Sequence, residues 1–265
     1  MLEGIRLALT TLTVAPVRGP QVLDRRTAGR AMSFAPLIGL LLGLTAAGLV
    51  YLVRRYSGMN LLSATVGLTV LALLTRGLHL DGLADLVDGL ASYRDPEATR
   101  AVMRSPEVGP LGMVAVVLTL MLQATALAAC LSHGRGTAGL VLAAATGRLA
   151  VTTACSQIPA ANDSGLGSLV ARTVPRWVPG VWALGLVAAA YAYAWVDPDA
   201  QGPLGTSAVQ AALAPVVALA VAWLVRRHAV RRVGGLTGDV LGALCEIATT
   251  ACLLVLALDP ARIAL

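Results

Sequence analysis

A chain of 265 residues that is 57% hydrophobic and only 13% charged, with a mean hydropathy of +0.77, lies far from the roughly 25% charged share of soluble domains. That excludes a water-soluble globular protein. The net charge of +6 rests on 20 arginines and no lysine, scattered through short polar segments without interleaved aromatics, which argues against a nucleic-acid-binding surface.

The first residues, Met1–Arg6, lack the positive segment, apolar core and small-residue site of a cleaved signal peptide, and Ile5–Val14 reads as a short interfacial helix. Pro16, Gly19 and Pro20 break that run. Ala31–Val53 then gives 23 residues without a charge, enough to cross a hydrocarbon core of about 30 Å. Arg54 and Arg55 close this first span. Leu61–Leu74 is a shorter second span that is either crossing or re-entrant, followed by the polar segment 81–108. Gly109–Leu131, Thr137–Ser156, Trp177–Val196, Leu204–Val225 and Gly238–Leu258 supply spans three to seven, with Trp177, Trp182, Tyr191, Tyr193 and Trp195 as interfacial anchors on the fifth. Gly39 and Gly43 form a GxxxG pair suited to close helix approach. Cys130, Cys155, Cys245 and Cys252 lie in or beside apolar runs without CxxC spacing and are expected as small buried hydrophobes. The expected fold is all-α, one integral membrane helical bundle over residues 1–265.

With the N-terminus inside, fifteen arginines fall in inside segments and four in outside ones, while Arg148 lies within a span. This asymmetry favours seven spans with a cytoplasmic N-terminus. It also gathers the polar segments 1–30, 76–108, 157–176 and 226–237 on one face.

The stretch Leu78-His79-Leu80-Asp81-Gly82-Leu83-Ala84-Asp85-Leu86-Val87-Asp88-Gly89 carries the densest chemistry. On a helix, Asp81, Asp85 and Asp88 stand at i, i+4 and i+7 in one row. Like charges so stacked call for a cation, and hard carboxylate oxygens suit Mg²⁺, which keeps some waters and is often completed by substrate phosphates. His79 adjoins the row as a general acid–base or a hydrogen-bonded support. Arg100 and Arg104, at i, i+4, place two guanidinium forks on one face, fit for phosphate oxygens or for plain positive-inside charge. Gly109 and Gly112 at a helix start would let backbone N–H groups approach an anion. The loop around Gly165-Leu166-Gly167 either wraps a phosphate or merely connects. Asp239 and Glu246, seven apart on the last span, share a face, and an intramembrane carboxylate costs roughly 2.5–3.5 kcal/mol on insertion scales. Glu246 pairs either with Arg148 or with the metal-bearing aspartates.

Taken in order, Phe34-Ala35-Pro36-Leu37-Ile38-Gly39, the string from Gly77 to Gly89, Gly109-Pro110-Leu111-Gly112, Gly165-Leu166-Gly167 and Gly234-Gly235-Leu236-Thr237-Gly238-Asp239-Val240-Leu241-Gly242-Ala243-Leu244-Cys245-Glu246 resemble the cobalamin synthase family, the adenosylcobinamide-GDP ribazoletransferases. The likeness runs through nearly the whole chain. Two departures stand out: Asn162 and Asp163 where the family's loop usually has a basic residue, and Arg76 in place of a small residue before Gly77.

The resemblance implies the last assembly step of the cobalamin nucleotide loop: a ribose hydroxyl of alpha-ribazole, or of its 5′-phosphate, attacks the cobinamide-side phosphorus of adenosylcobinamide-GDP, and GMP leaves. Mg²⁺ is the implied cofactor, held by Asp81, Asp85 and Asp88. His79, Asp239 and Glu246 are the implied catalytic groups, and Arg100, Arg104, Gly165, Gly167 and Gly235 the substrate-binding ones. The implied location is the cell membrane, multi-pass, with the site facing the cytoplasm; the bilayer is a partner, nucleic acid is not, and a homo-oligomer is left open. A CDP-alcohol phosphotransferase fits less well, because its DGxxAR string is absent. A proton- or metal-coupled transporter would spread its carboxylates through several spans.

Overall fold

The computed structural model describes residues 2–196 and 206–258. Among them lie twelve helices: α1 (Leu2–Leu12), α2 (Arg25–Ser33), α3 (Ala35–Ser57), α4 (Asn60–Leu74), α5 (Leu78–Ala91), α6 (Pro96–Met103), α7 (Pro110–Ser132), α8 (Gly136–Gln157), α9 (Leu166–Val170), α10 (Val178–Val196), α11 (Thr206–Val233) and α12 (Gly238–Ala257). The all-α reading holds. Five helices, α3, α7, α8, α11 and α12, are long and apolar enough to cross a membrane, and α4 with α5 makes a sixth only if a pair bent by 88° is one broken span. The apolar part of α10, Val178–Tyr193, is shorter.

Helix α8 is the centre of the bundle, with a buried face on nearly every side. Small residues make this packing close. The expected Gly39/Gly43 pair is where α3 crosses it: a Cβ on Gly39 would stand 2.6 Å from Ala144 O, and one on Gly43 2.8 Å from Val141 Cα. On the far side, a Cβ on Gly147 would meet Cys245 O at 2.7 Å, so α12 presses equally close. All four cysteines are free and buried, as expected.

Three sequence expectations are corrected by local structure. The first span begins later, because the chain breaks at Phe34 and Ala31–Ser33 belong to α2. Trp182 is no surface anchor; its indole N–H donates to Ser33 O at 2.9 Å and ties α10 to the end of α2. The sixth span continues two turns past Val225, to Val233. Leu204, the side chain of Trp195 and Arg262 lie outside the described residues.

Hydrogen bonds separate the two ends of the bundle. At one end Asn60 donates to Ser132, Arg135 to Gln210, and Gln210 to the carbonyls of Val255 and Leu258. The other end joins α2 to α9, α5 to α7 and α6 to α11, and it carries the acidic row.

Candidate functional site

The acidic helix α5 is aimed by the way α4 ends. Gly77 N–H bonds Ala72 O at 2.8 Å and Arg76 N–H bonds Leu73 O at 3.1 Å, the two bonds of a Schellman motif with Arg76 left-handed (φ 56°). Gly77, also left-handed at φ 67°, completes the reversal. A left-handed arginine is strained. Its guanidinium compensates by donating to Thr10 O and Thr11 O at 3.2 and 3.4 Å, which caps the end of α1. The departure from a small residue at position 76 therefore has a structural use. After the turn, α5 lies across the bundle end rather than along it.

Two glycines set the depth of α5. A Cβ on Gly82 would stand 2.9 Å from both Cα and O of Asp239, and one on Gly242 would stand 3.1 Å from His79 O. This backbone contact brings Asp81 and Asp85 beside Asp239. Burial, and then the facing carboxylates of Asp81, Asp239 and Asp88, push the Asp85 carboxyl up to about 6. Among the described residues no arginine lies within 4.0 Å of any of these groups; the ion pair found there joins Arg6 to Glu3.

Asp88 is engaged differently. Its Oδ2 accepts from Gly109 N–H and its Oδ1 from Gly112 N–H, both at 2.8 Å. A Cβ on either glycine would strike that carboxylate. The anion expected at this helix start is thus the protein's own Asp88, capping α7. The three aspartates do not converge at coordination distance: among the described residues, the one trio of potential ligands within 4.8 Å of each other is His79, Cys245 and Glu246.

That trio lies below the acidic row. Glu246 sits seven residues along α12 from Asp239, about 10 Å deeper. Its Oε2 accepts from Gln123 Nε2 at 2.9 Å, and the same amide donates to Thr250 at 3.0 Å. Arg148 is 3% exposed and shares with Glu246 and Gln123 the lining of a cavity of about 20 Å³, yet the two charges form no direct pair within 4.0 Å. His79 is equally buried, and its Nδ1 has no hydrogen-bond partner among the described residues. Glu246 and His79 therefore form a polar core under the site rather than its wall.

The wall is a polar cavity of about 300 Å³ lined by Arg100, Met103, Arg104, Asn162, Ser164, Gly165, Leu166, Gly167, Leu236, Thr237, Gly238 and Asp239. Five residues expected from sequence meet here: Arg100, Arg104, Gly165, Gly167 and Asp239. Two loops make its floor. Leu236 N–H bonds Pro159 O at 2.8 Å and Ala161 N–H bonds Leu236 O at 3.2 Å, a short parallel bridge that pairs Ala160 with Leu236, 76 positions apart. Gly235 does not line the cavity; it allows the bridge, since its Cβ would stand 2.5 Å from Ala161 N. Gly167 lies against Leu236 O in the same way. Arg100 donates to Val233 O at 2.6 Å, while its Nε is buried without a partner among the described residues. Arg104, the C-cap of α6, is exposed.

Sequence reasoning missed Thr237, Ser164 and Gln123 as site or support residues. Thr237 accepts from Val240 N–H as the N-cap of α12, a signal readable in Thr-Gly-Asp before an apolar run. Gln123 was readable as the lone amide in an apolar span. Ser164 carried no signal.

The fold and site define a class: a multi-pass helical membrane protein with acidic and arginine-bearing groups around one polar cavity at the bundle end. The chain belongs to the Cobalamin-5-phosphate synthase family, whose profile matches residues 4–257. It is 46% identical to an adenosylcobinamide-GDP ribazoletransferase of Frankia casuarinae, covering 97% of this chain and 95% of that one. It is 40% identical to a protein of the same name from a Nocardioides species (96% and 98% covered) and 37% identical to one from Pseudomonas aeruginosa (97% and 98%). No solved structure matches the chain.

Proposed function

We propose that this chain performs the final assembly step of the cobalamin nucleotide loop, joining alpha-ribazole or its 5′-phosphate to adenosylcobinamide-GDP with release of GMP, and that the 300 Å³ cavity with Asp81 and Asp85 is its active site. One observation carries the assignment of the site. Arg100, Arg104, Asp239 and two glycine loops, drawn from three distant parts of the sequence, face one cavity beside carboxylates that form no ion pair within 4.0 Å among the described residues.

A ribose hydroxyl bonds to the cobinamide-side phosphorus while the bond from that phosphorus to the GMP oxygen breaks. Asp239, in the cavity wall, accepts the hydroxyl proton. Arg104 and the free edge of Arg100 hold the phosphate of the departing GMP by charge-assisted hydrogen bonds. Phosphoryl transfer needs mainly such positioning and charge stabilisation. The donor set fits Mg²⁺: hard oxygens, excess negative charge and no arginine in contact. Asp81 and Asp85 would hold it, with waters and substrate phosphate completing the shell, so fewer than three protein ligands suffice. When bound, the cation neutralises charge on the pyrophosphate oxygens. Asp88 acts through α7, and His79 and Glu246 act from beneath, as supports.

The arginine asymmetry supports a cytoplasmic position for this end of the bundle in a cell-membrane protein, in which α4 and α10 would count as crossings to make seven spans. The reading is tested with purified protein by following GMP release from adenosylcobinamide-GDP and alpha-ribazole, with Mg²⁺ or chelator. Release that needs both substrates and the cation, and fails in Asp239→Asn, supports it. Undiminished release in chelator removes the metal, and undiminished release in Asp239→Asn removes the proposed base.

A further inference from the structure

Helix α2 is fixed at several points. Asp24 caps it by accepting from Thr27 N–H at 2.7 Å, Thr152 of α8 donates to Met32 O at 2.8 Å, and Trp182 of α10 donates to Ser33 O at 2.9 Å. Its middle has no freedom either: a Cβ on Gly29 would stand 2.6 Å from Thr173 O. From this base Arg25 reaches across the bundle end. One terminal nitrogen donates to Ser168 O and the other to Ala171 O, the latter at 2.5 Å.

Those carbonyls belong to α9 and the residue after it, and the other end of the same short helix supplies Gly165, Leu166 and Gly167 to the cavity. A five-residue helix with a glycine as its N-cap and another within it cannot hold itself; short helices are marginal in water. Gly165, at φ 87°, adds backbone freedom at the cavity side. The segment needs an external hold, and a planar guanidinium that bonds two carbonyls at once supplies direction as well as attraction.

We propose that Arg25 is a positioning residue for the reaction: by gripping Ser168 O and Ala171 O from the pinned α2 it holds the Gly165–Gly167 loop in its substrate-receiving form. This rests on the cavity being the active site. Arg26, the next residue of α2 and likewise exposed, carries the same charge without such bonds among the described contacts. That separates grip from general positive charge at a membrane surface.

The test compares wild type, Arg25→Ala, Arg25→Lys and Arg26→Ala in steady-state GMP release, varying each substrate in turn, with thermal midpoints measured alongside. Arg25→Ala is expected to raise the KM of at least one substrate roughly tenfold with a smaller change in kcat, the effect of losing about two charge-assisted hydrogen bonds after loop mobility is offset. Its thermal midpoint stays near wild type, because the arginine is exposed. Arg25→Lys recovers part of the KM, methylguanidinium added to Arg25→Ala recovers part as well, and Arg26→Ala behaves as wild type. Unchanged KM for both substrates in Arg25→Ala overturns the proposal, as does equal damage in Arg26→Ala, or a loss that neither Lys nor methylguanidinium relieves. Gly167→Val separates the two readings: if it too leaves KM unchanged, the cavity assignment fails; if it raises KM while Arg25→Ala does not, only the grip fails.

Discussion

Gly82 of α5 and Gly242 of α12 meet backbone to backbone, a Cβ on either standing 3.2 Å from the Cα of the other, and this contact sets Asp81 and Asp85 beside Asp239. A methyl group at position 82 would also press on Asp239 itself, at 2.9 Å from its Cα and O. Backbone cannot yield as a flexible side chain can. Gly82→Ala is expected to cost about 1–3 kcal/mol of stability, as overpacking does, and to lower turnover more than the stability loss explains, because α5 must move away from α12. Thermal unfolding in detergent and GMP release on the same preparation check this. A stable Gly82→Ala protein with full turnover would show that the acidic row and Asp239 need not be adjacent.

Asp85 stands between Asp81 and Asp239 and is the carboxylate most shaped by its neighbours. Asp85→Asn keeps the side-chain shape and removes the charge. Turnover is expected to fall by about 10- to 100-fold or more, the scale seen when a metal site loses an important group, with partial recovery at raised Mg²⁺. A Mg²⁺ titration of GMP release distinguishes this from a folding defect.

The same carboxyl gives a pH dependence with a definite sign. Its value in the folded chain is raised from the ordinary 3.8 to about 6, so folding favours the protonated form. The stability it contributes is present at pH values below 3.8 and is lost as pH rises through about 6. In chelator the thermal midpoint should therefore carry a component that declines across this window, absent in Asp85→Asn. Added Mg²⁺ should stabilise more at pH 7 than at pH 5, and turnover should fall on the acid side of about 6 as protons displace the cation.

Asp88 offers a contrast within one row. Because both its oxygens accept N–H groups of α7, Asp88→Ala should destabilise the protein by about 0.5–2 kcal/mol, the range for losing a cap. The Mg²⁺ concentration for half-maximal turnover should remain that of wild type. A large rise in that concentration would instead make Asp88 a ligand.

Much of this was legible in the sequence, for a physical reason: a bilayer imposes its length and polarity on each helix separately. The long apolar runs, the i, i+4, i+7 aspartates, the Gly39/Gly43 face and the end of the bundle that carries the arginines all follow from local pattern. What the local pattern could not decide was which partner each polar group takes, since partners lie as far as 146 positions apart in Arg25 and Ala171 and 149 in Trp182 and Ser33. Only the packed bundle assigns Asp88 to α7, Arg100 to the end of α11 and Gly235 to the bridge rather than the cavity. It also sinks Glu246 and His79 beneath the site, because seven residues of helix are depth once α12 stands upright in the bundle. The row Asp81, Asp85, Asp88 reads as three equal ligands in one dimension; crossed by α12 on one side and capping α7 on the other, it becomes one exposed and one half-buried carboxylate beside Asp239 and one structural anchor.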